Sequence, residues 1–254
     1  PAEMKKHCGE RVGLLREMIR YGVVKGCTNV FYAGGSSRAT VAAAISLNVL
    51  RKISRNLQAN HAKRITGVLD ASPKIATRPV EASYLVLVHT DAEADVRDLK
   101  GFIHVSEYGN RKPVHAQELG SCENFRFITS PELAPYAGAG ANIATTGLTG
   151  ATKVDVYPFI VCGEDAWGQL ALRGADSIDP TYIPPGQKDK SDPLGQRGYI
   201  GAKFYMNAVL LNEGWMAIAE AGVSALYPSQ CPACLRLRWA DLSLAGAVPA
   251  FIKG

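Results

Sequence analysis

Several groups of side chains in this chain have the types that catalysis or ligand binding uses, and their spacing decides what they could do. Gly34-Gly35-Ser36-Ser37-Arg38 follows an apolar run, where a phosphate-cradling loop would sit. It lacks the Gly-Lys-Ser/Thr ending of a P-loop and the three-glycine spacing of a dinucleotide site, which leaves a turn ahead of a helix as its reading. Asp91, Glu93, Asp95 and Asp98 offer the oxygen donors that a hard cation takes. An acidic helix start, favoured by the helix macrodipole and by solvent, explains the same residues without a metal. Cys231-Pro-Ala-Cys234 is half of a tetrahedral zinc or redox motif, and no second such pair or His-x-x-x-His supplies the rest. His7, His61, His89, His104 and His115 are scattered, with no nucleophile near them in sequence. The G-x-S-x-G elbow, S-x-x-K, H-E-x-x-H and EF-hand patterns are absent. The residues themselves therefore nominate no catalytic, cofactor or metal site.

The elements that would position such groups follow from periodicity. Met4, Cys8, Val12, Leu15, Met18, Ile19 and Val23 recur every three or four residues, which predicts a helix over residues 3–25 with Gly26 as its stop. Residues 29–33 read as a short strand. Ser46 is a suitable N-cap for a helix over residues 47–59, with Leu47, Leu50, Ile53 and Leu57 on one face and Arg51, Lys52 and Arg55 toward water. Residues 66–71 and 83–89 read as buried strands. Thr90-Asp91-Ala92-Glu93 has the form of a capping box and opens a helix ending at Gly101. Strands are expected over 102–108 and 125–129, with residues 118–121 as turn material. Residues 137–150, rich in Gly, Ala and Thr, form a long loop and a candidate assembly contact. The apolar and aromatic runs 154–162, 167–172 and 199–211 read as strands, the last two separated by a polar loop over residues 174–198. Strands interleaved with short helices indicate a mixed α/β chain.

At 254 residues the chain is long enough for one large domain or two smaller ones. Its 47% hydrophobic and 20% charged residues are ordinary globular usage, against disorder or coiled coil. The net charge of +5 is spread along the chain, so sequence-independent contact with DNA is the most that charge alone allows. The six cysteines, without a secretory signal, read as reduced thiols in a cytoplasmic protein. No apolar run approaches the ~18–20 residues that span a bilayer.

Six segments carry a resemblance. NVFYAGGSSR (29–38), DASPKIATRPVEASYLVLVHTDAEADVRDL (70–99), ENFRFITSPEL (123–133), DVYPFIVCGEDAWG (155–168), SDPLGQRG (191–198) and LNEGWMA (211–217) occur in the order in which the N4-like family of tailed-phage major capsid proteins carries similar segments. The matches run roughly from Met4 to Leu226. The resemblance implies an α+β fold of the tailed-phage and herpesvirus capsid lineage. Its peripheral domain has a long spine helix and an extended sheet, and its axial domain has a central sheet flanked by helices. Mapped here, residues 1–45 hold the spine helix and the start of the peripheral domain, and residues 46–152 are mostly axial. Residues 153–198 return to the peripheral domain, residues 199–228 add a strand running back through the axial part, and residues 229–254 form a tail.

The resemblance also implies function. Such a chain is a coat protein without catalysis, forming hexamers and pentamers of an icosahedral shell around double-stranded DNA. Its partners are copies of itself, with scaffolding, portal or decoration proteins, and it resides in the virion after assembly in the host cytoplasm. In the most family-like loop, Asp192, Gln196 and Arg197 either brace a turn internally or bridge two subunits, so they are the expected assembly contacts. In this family an arm and an extended loop precede the spine helix; their near absence here carries the expectation that the 254-residue form assembles poorly. Two other readings compete. One is a hydrolase or transferase with a site among residues 34–38, 90–93 and 192–197. The other is a nucleic-acid module using Arg51, Lys52, Arg55, Lys63 and Arg64.

Overall fold

The computed structural model describes residues 2–69, 77–109, 111–143, 147–170, 178–188 and 193–225. Two compact units divide the chain, Pro1–Ser224 and Ala225–Gly254. The second lies, apart from Ala225, outside the described residues, and with it Cys231 and Cys234.

The first unit is built on an eight-stranded mixed sheet. Its strands are β1 (Val30–Tyr32), β2 (Ile65–Leu69), β3 (Thr77–His89), β4 (Phe102–His104), β5 (Glu118–Cys122), β6 (Phe125–Ser130), β7 (Tyr157–Cys162) and β12 (Met216–Ala221). Their order is β1-β12-β7-β3-β6-β5-β4, with β2 paired to β3 off that path. The pairs β1–β12 and β3–β6 are parallel and the others antiparallel. Strand β12 is buried along its whole length. Alternation sends its Ala217, Ala219 and Ala221 into one core and its Met216 and Ile218 into another. In β7, Tyr157, Phe159 and Val161 enter the first core, and Ile160 and Cys162 the second. The centre of the sheet is therefore apolar on both faces.

Helix α2 (Leu47–Ala59) covers the first face through Leu50, Ile53 and Leu57, all fully buried. Ser46 stands at its N-cap position but makes no side-chain cap bond. Helix α3 (Glu93–Arg97) and the turn after it add Val96 and Leu99 to the same core. Facing the second core are Val24 at the end of helix α1 (Ala2–Val24), Cys27, Trp167 of β8 (Trp167–Leu170) and Leu210 of β11 (Asn207–Leu210). Strands β8 and β11 pair with each other, as do β9 (Asp179–Ile183) and β10 (Tyr199–Lys203), and α1 runs beside both β10 and β11.

Several sequence expectations need correction. The single strand over 199–211 is two strands in two separate ladders beside α1, not a return through the central sheet. The loop over 174–198 contains strand β9. Residues 118–121 belong to strand β5 rather than a turn, because Glu118 is buried against specific partners described below. Strand β4 stops at His104 and a 3-10 turn, Val105–Glu107, follows. No capping box forms at 90–93: the His89 ring Nδ1 accepts the Asp91 amide at 3.0 Å, and Glu93 pairs with Arg97. Helix α3 ends at Arg97, short of Gly101. Among the described residues no helix is long and apolar enough to cross a membrane.

Candidate functional site

Exposed apolar side chains concentrate on one part of the molecule. Among the described residues the large ones are Met4, Leu15, Met18 and Ile19 on α1, Leu170 and Leu211 at the β8–β11 pair, and Ile178, Tyr182, Leu194, Tyr199 and Tyr205 on and beside the β9–β10 hairpin; Ile103 alone lies elsewhere. Helical spacing makes α1 amphipathic, yet only Val12 and Val24 of its apolar side chains are buried. Cys8 and Val23 are half-buried, and Met4, Leu15, Met18 and Ile19 are exposed. Exposed apolar side chains gathered on neighbouring elements are a candidate place for another molecule to sit. Between α1 and the hairpin lies a cavity of about 320 Å³, walled by Cys8, Gly9 and Val12 and floored by Pro180, Tyr182 and Ile200. Lys5 Nζ stands 4.5 Å from the centre of the Tyr182 ring at its edge.

None of the segments proposed for catalysis lines that cavity. Arg38 ends the glycine–serine turn and reaches across to Glu220 of β12, where Nε and Nη2 donate to the carboxylate at 2.8 and 2.5 Å. Glu220 is 1% exposed, and this fork balances its charge. The bond to Glu220 holds the Arg38 pKa above its ordinary value. The Arg38 guanidinium also lies 3.7 Å from the Tyr136 ring centre, and Lys25 Nζ lies 3.8 Å from the same ring. Burial and the neighbouring Arg38 charge push the Lys25 pKa down. Tyr21, whose hydroxyl donates to the Ala134 carbonyl at 2.8 Å, has its pKa pushed up to about 12, chiefly by burial. Sequence reasoning missed this cluster: its residues lie in four separate segments, and Tyr136 sits in a stretch with no periodicity.

A second polar cluster fixes the far edge of the sheet. The buried Glu118 carboxylate accepts from the Tyr108 hydroxyl at 2.7 Å and the Val114 amide at 2.5 Å, with Arg126 Nη1 at 3.6 Å. Arg126 Nη2 also pairs with Glu81 at 3.5 Å, and Arg111 joins the same carboxylate at 3.3 Å. Burial leads the causes that raise the Tyr108 pKa to about 12. The acidic residues near α3 are likewise engaged: Asp91 accepts the Tyr157 hydroxyl at 2.9 Å, and the buried Asp95 accepts the Ser224 amide at 2.8 Å. Among the described residues no three or more His, Cys, Asp or Glu gather to hold a metal.

Of the expected assembly contacts, Gln196 and Arg197 are exposed beside the hairpin, and Asp192 lies outside the described residues. In the basic set, Arg51 pairs with Glu123 at 2.5 Å, Lys52, Arg55 and Lys63 are exposed, and the Arg64 guanidinium lies 5.8 Å from the Tyr84 ring centre. The loop over 137–150 is tied down more than its composition suggests: Leu148 is buried, and bridges join Asn142 to Lys153, Gly150 to Val154 and Leu148 to Ser224.

No family model matches the chain. A protein of Pseudomonas phage KPP21 named major capsid protein is 22% identical over 241 residues, covering 86% of this chain. The chain spans 61% of that relative's length. Among solved structures, a chain of the head of Helicobacter pylori bacteriophage KHP40 superposes with a TM-score of 0.50 at 13% identity, over 83% of this chain and 64% of that one. A chain of the capsid of cyanophage P-SCSP1u gives 0.51 at 13% identity, over 88% and 66%. Over those spans the chain has the mixed helix-and-sheet fold of those phage head and capsid chains.

Proposed function

We propose that this chain is the shell-forming part of the major capsid protein of a tailed phage of the N4-like kind. The observation that carries the reading is the alignment through 86% of the chain with a protein named major capsid protein. In this reading copies assemble into hexamers and pentamers of an icosahedral shell that encloses double-stranded DNA in the virion, after assembly in the host cytoplasm. Scaffolding, portal or decoration proteins take part, exposed arginines and lysines touch the packaged DNA without regard to sequence, and the chain does no catalysis. Helix α1 serves as the spine of the peripheral part. Strands β8 to β11 join it there, since they stand beside α1, while α2, α3 and the sheet make up most of the axial part. This departs from the sequence reading, which assigned β7 to the peripheral part and residues 199–228 to the axial part, because β7 is a central strand of the sheet and β10 and β11 lie beside α1. Gln196 and Arg197 belong to the hairpin side that meets a neighbour, and Asp192, outside the described residues, is proposed as a contact with them.

Physical support comes from the apolar side chains on α1 and the hairpin. A monomer gains by covering them, and permanent interfaces bury about 2,000 Å² or more, at roughly 25 cal/mol per Å² of apolar surface. Sedimentation and electron microscopy of the full-length protein, expressed with its scaffolding partner, are the test. Closed shells of one size are expected. A protein that stays monomeric at high concentration with that partner present would overturn the reading.

A further inference from the structure

Helix α1 meets the segment that follows β6 along a single stripe. Glu17, Tyr21 and Lys25 are spaced four residues apart and so lie on one side of the helix. Their partners come from one short stretch. Ser130 Oγ donates to the Glu17 carboxylate at 3.0 Å, the Tyr21 hydroxyl donates to the Ala134 carbonyl at 2.8 Å, and Lys25 Nζ stands 3.8 Å from the Tyr136 ring centre. Tyr136 is itself fixed to the sheet side, exchanging both backbone hydrogen bonds with Val156 at 2.8 and 3.1 Å. Arg38 lies over the same ring and is forked onto Glu220 of the central strand β12. One aromatic ring thus holds a cation from the end of the helix and a cation anchored in the core.

The character of these contacts differs from the rest of the fold. The sheet is held by fully buried apolar side chains from α2, β3, β7 and β12. Among its described residues α1 fully buries Val12 and Val24, with Tyr21 packed part-buried against the second core and Arg20 donating to Gln169 at 2.6 Å. The groups that its stripe meets in residues 130–136 are polar or aromatic ones that water can replace at small net cost. An element attached in that way opens at lower free energy than the core. We infer that the stripe is a latch: Tyr136, held between Lys25 and Arg38, fastens α1 to the sheet, and the helix releases and re-seats as a unit while the core stays folded. Removing the ring leaves two neighbouring cations beside the Glu220 carboxylate. The inference rests on these contacts alone and is independent of the capsid reading.

Hydrogen exchange of the native protein, read peptide by peptide, tests the latch with Tyr136→Leu against Tyr136→Phe, which keeps the ring face. In Tyr136→Leu the amides of α1 exchange about tenfold faster, those of β3, β7 and β12 keep wild-type rates, and Tyr136→Phe behaves as wild type. Unchanged α1 rates in Tyr136→Leu, an equal rise in Tyr136→Phe, or a rise that spreads equally to β7 and β12 overturns the latch. Should Tyr136→Leu fail to fold, Lys25→Gln removes the helix-end cation from the ring and leaves Tyr136, Arg38 and Glu220 in place. A rise confined to α1 then supports the latch, and its absence overturns it.

Discussion

At the scale of single residues, burial sorts the chemistry. Cys8 is half-buried, whereas Cys27, Cys122 and Cys162 are buried, and all four are free thiols. Burial raises the pKa of Cys27 and Cys122 and pushes that of Cys162 up to about 12, with the neighbouring Cys27 adding to it. A thiol with a raised pKa stays protonated near neutral pH and does not act as a nucleophile. Iodoacetamide at pH 8 is therefore expected to modify Cys8 and to leave Cys162 untouched until denaturant is added, as read by peptide mass spectrometry. Equal labelling of the two in the folded protein would contradict the burial described here. The two buried carboxylates show what composition hides. Glu220 lies between alanines, its partner Arg38 is 182 residues away, and nothing in either local sequence points to the other. Glu118 sits where turn-like residues surround it, and only the folded neighbourhood of Tyr108, Val114 and Arg126 makes it a strand residue.

At the scale of elements, long periodic segments were legible and short or alanine-rich ones were not. Residues 47–59 form α2 as their spacing predicts, and the apolar runs that became β3, β6 and β7 stand at the centre of the sheet. Strand β12 was missed because Met-Ala-Ile-Ala-Glu-Ala has no β-branched or aromatic bias beyond Ile218; small alanines suit it to lie flat beneath α2, a tertiary demand that outweighs propensity. The run 199–211 was split because two different partner strands claim its halves. Strand β5 illustrates a further demand, for space. A Cβ at Gly120 would come within 2.4 Å of the Ile103 carbonyl oxygen and 2.4 Å of the Phe102 ring, whereas one at Gly13 in α1 would meet nothing within 4 Å. Gly120→Ala is expected to lower stability by about 1–3 kcal/mol through overpacking, and Gly13→Ala to raise it by roughly 0.5–1 kcal/mol. Urea unfolding of the two variants measures both, and a Gly120→Ala protein as stable as wild type would contradict the close approach of β4 to β5.

At the scale of the whole molecule, helical periodicity announced that α1 has an apolar face but not what that face meets. Among the described residues Met4, Leu15, Met18 and Ile19 of that face stay exposed, and the hairpin and the β8–β11 pair carry exposed apolar groups of their own. The order of similar segments along the chain carried the capsid resemblance, and the fold shared with the phage head and capsid chains agrees with it. In the proposed function these exposed side chains are where copies of the protein meet. Cryo-electron microscopy of shells formed by the full-length protein tests it most directly. The expected result is a subunit density that holds α1, the sheet and both strand pairs, with Leu15, Met18 and Ile19 of α1 and Tyr182 and Tyr199 of the hairpin covered by neighbouring subunits. A shell in which those side chains all face solvent, while subunits join through other surfaces, would contradict it.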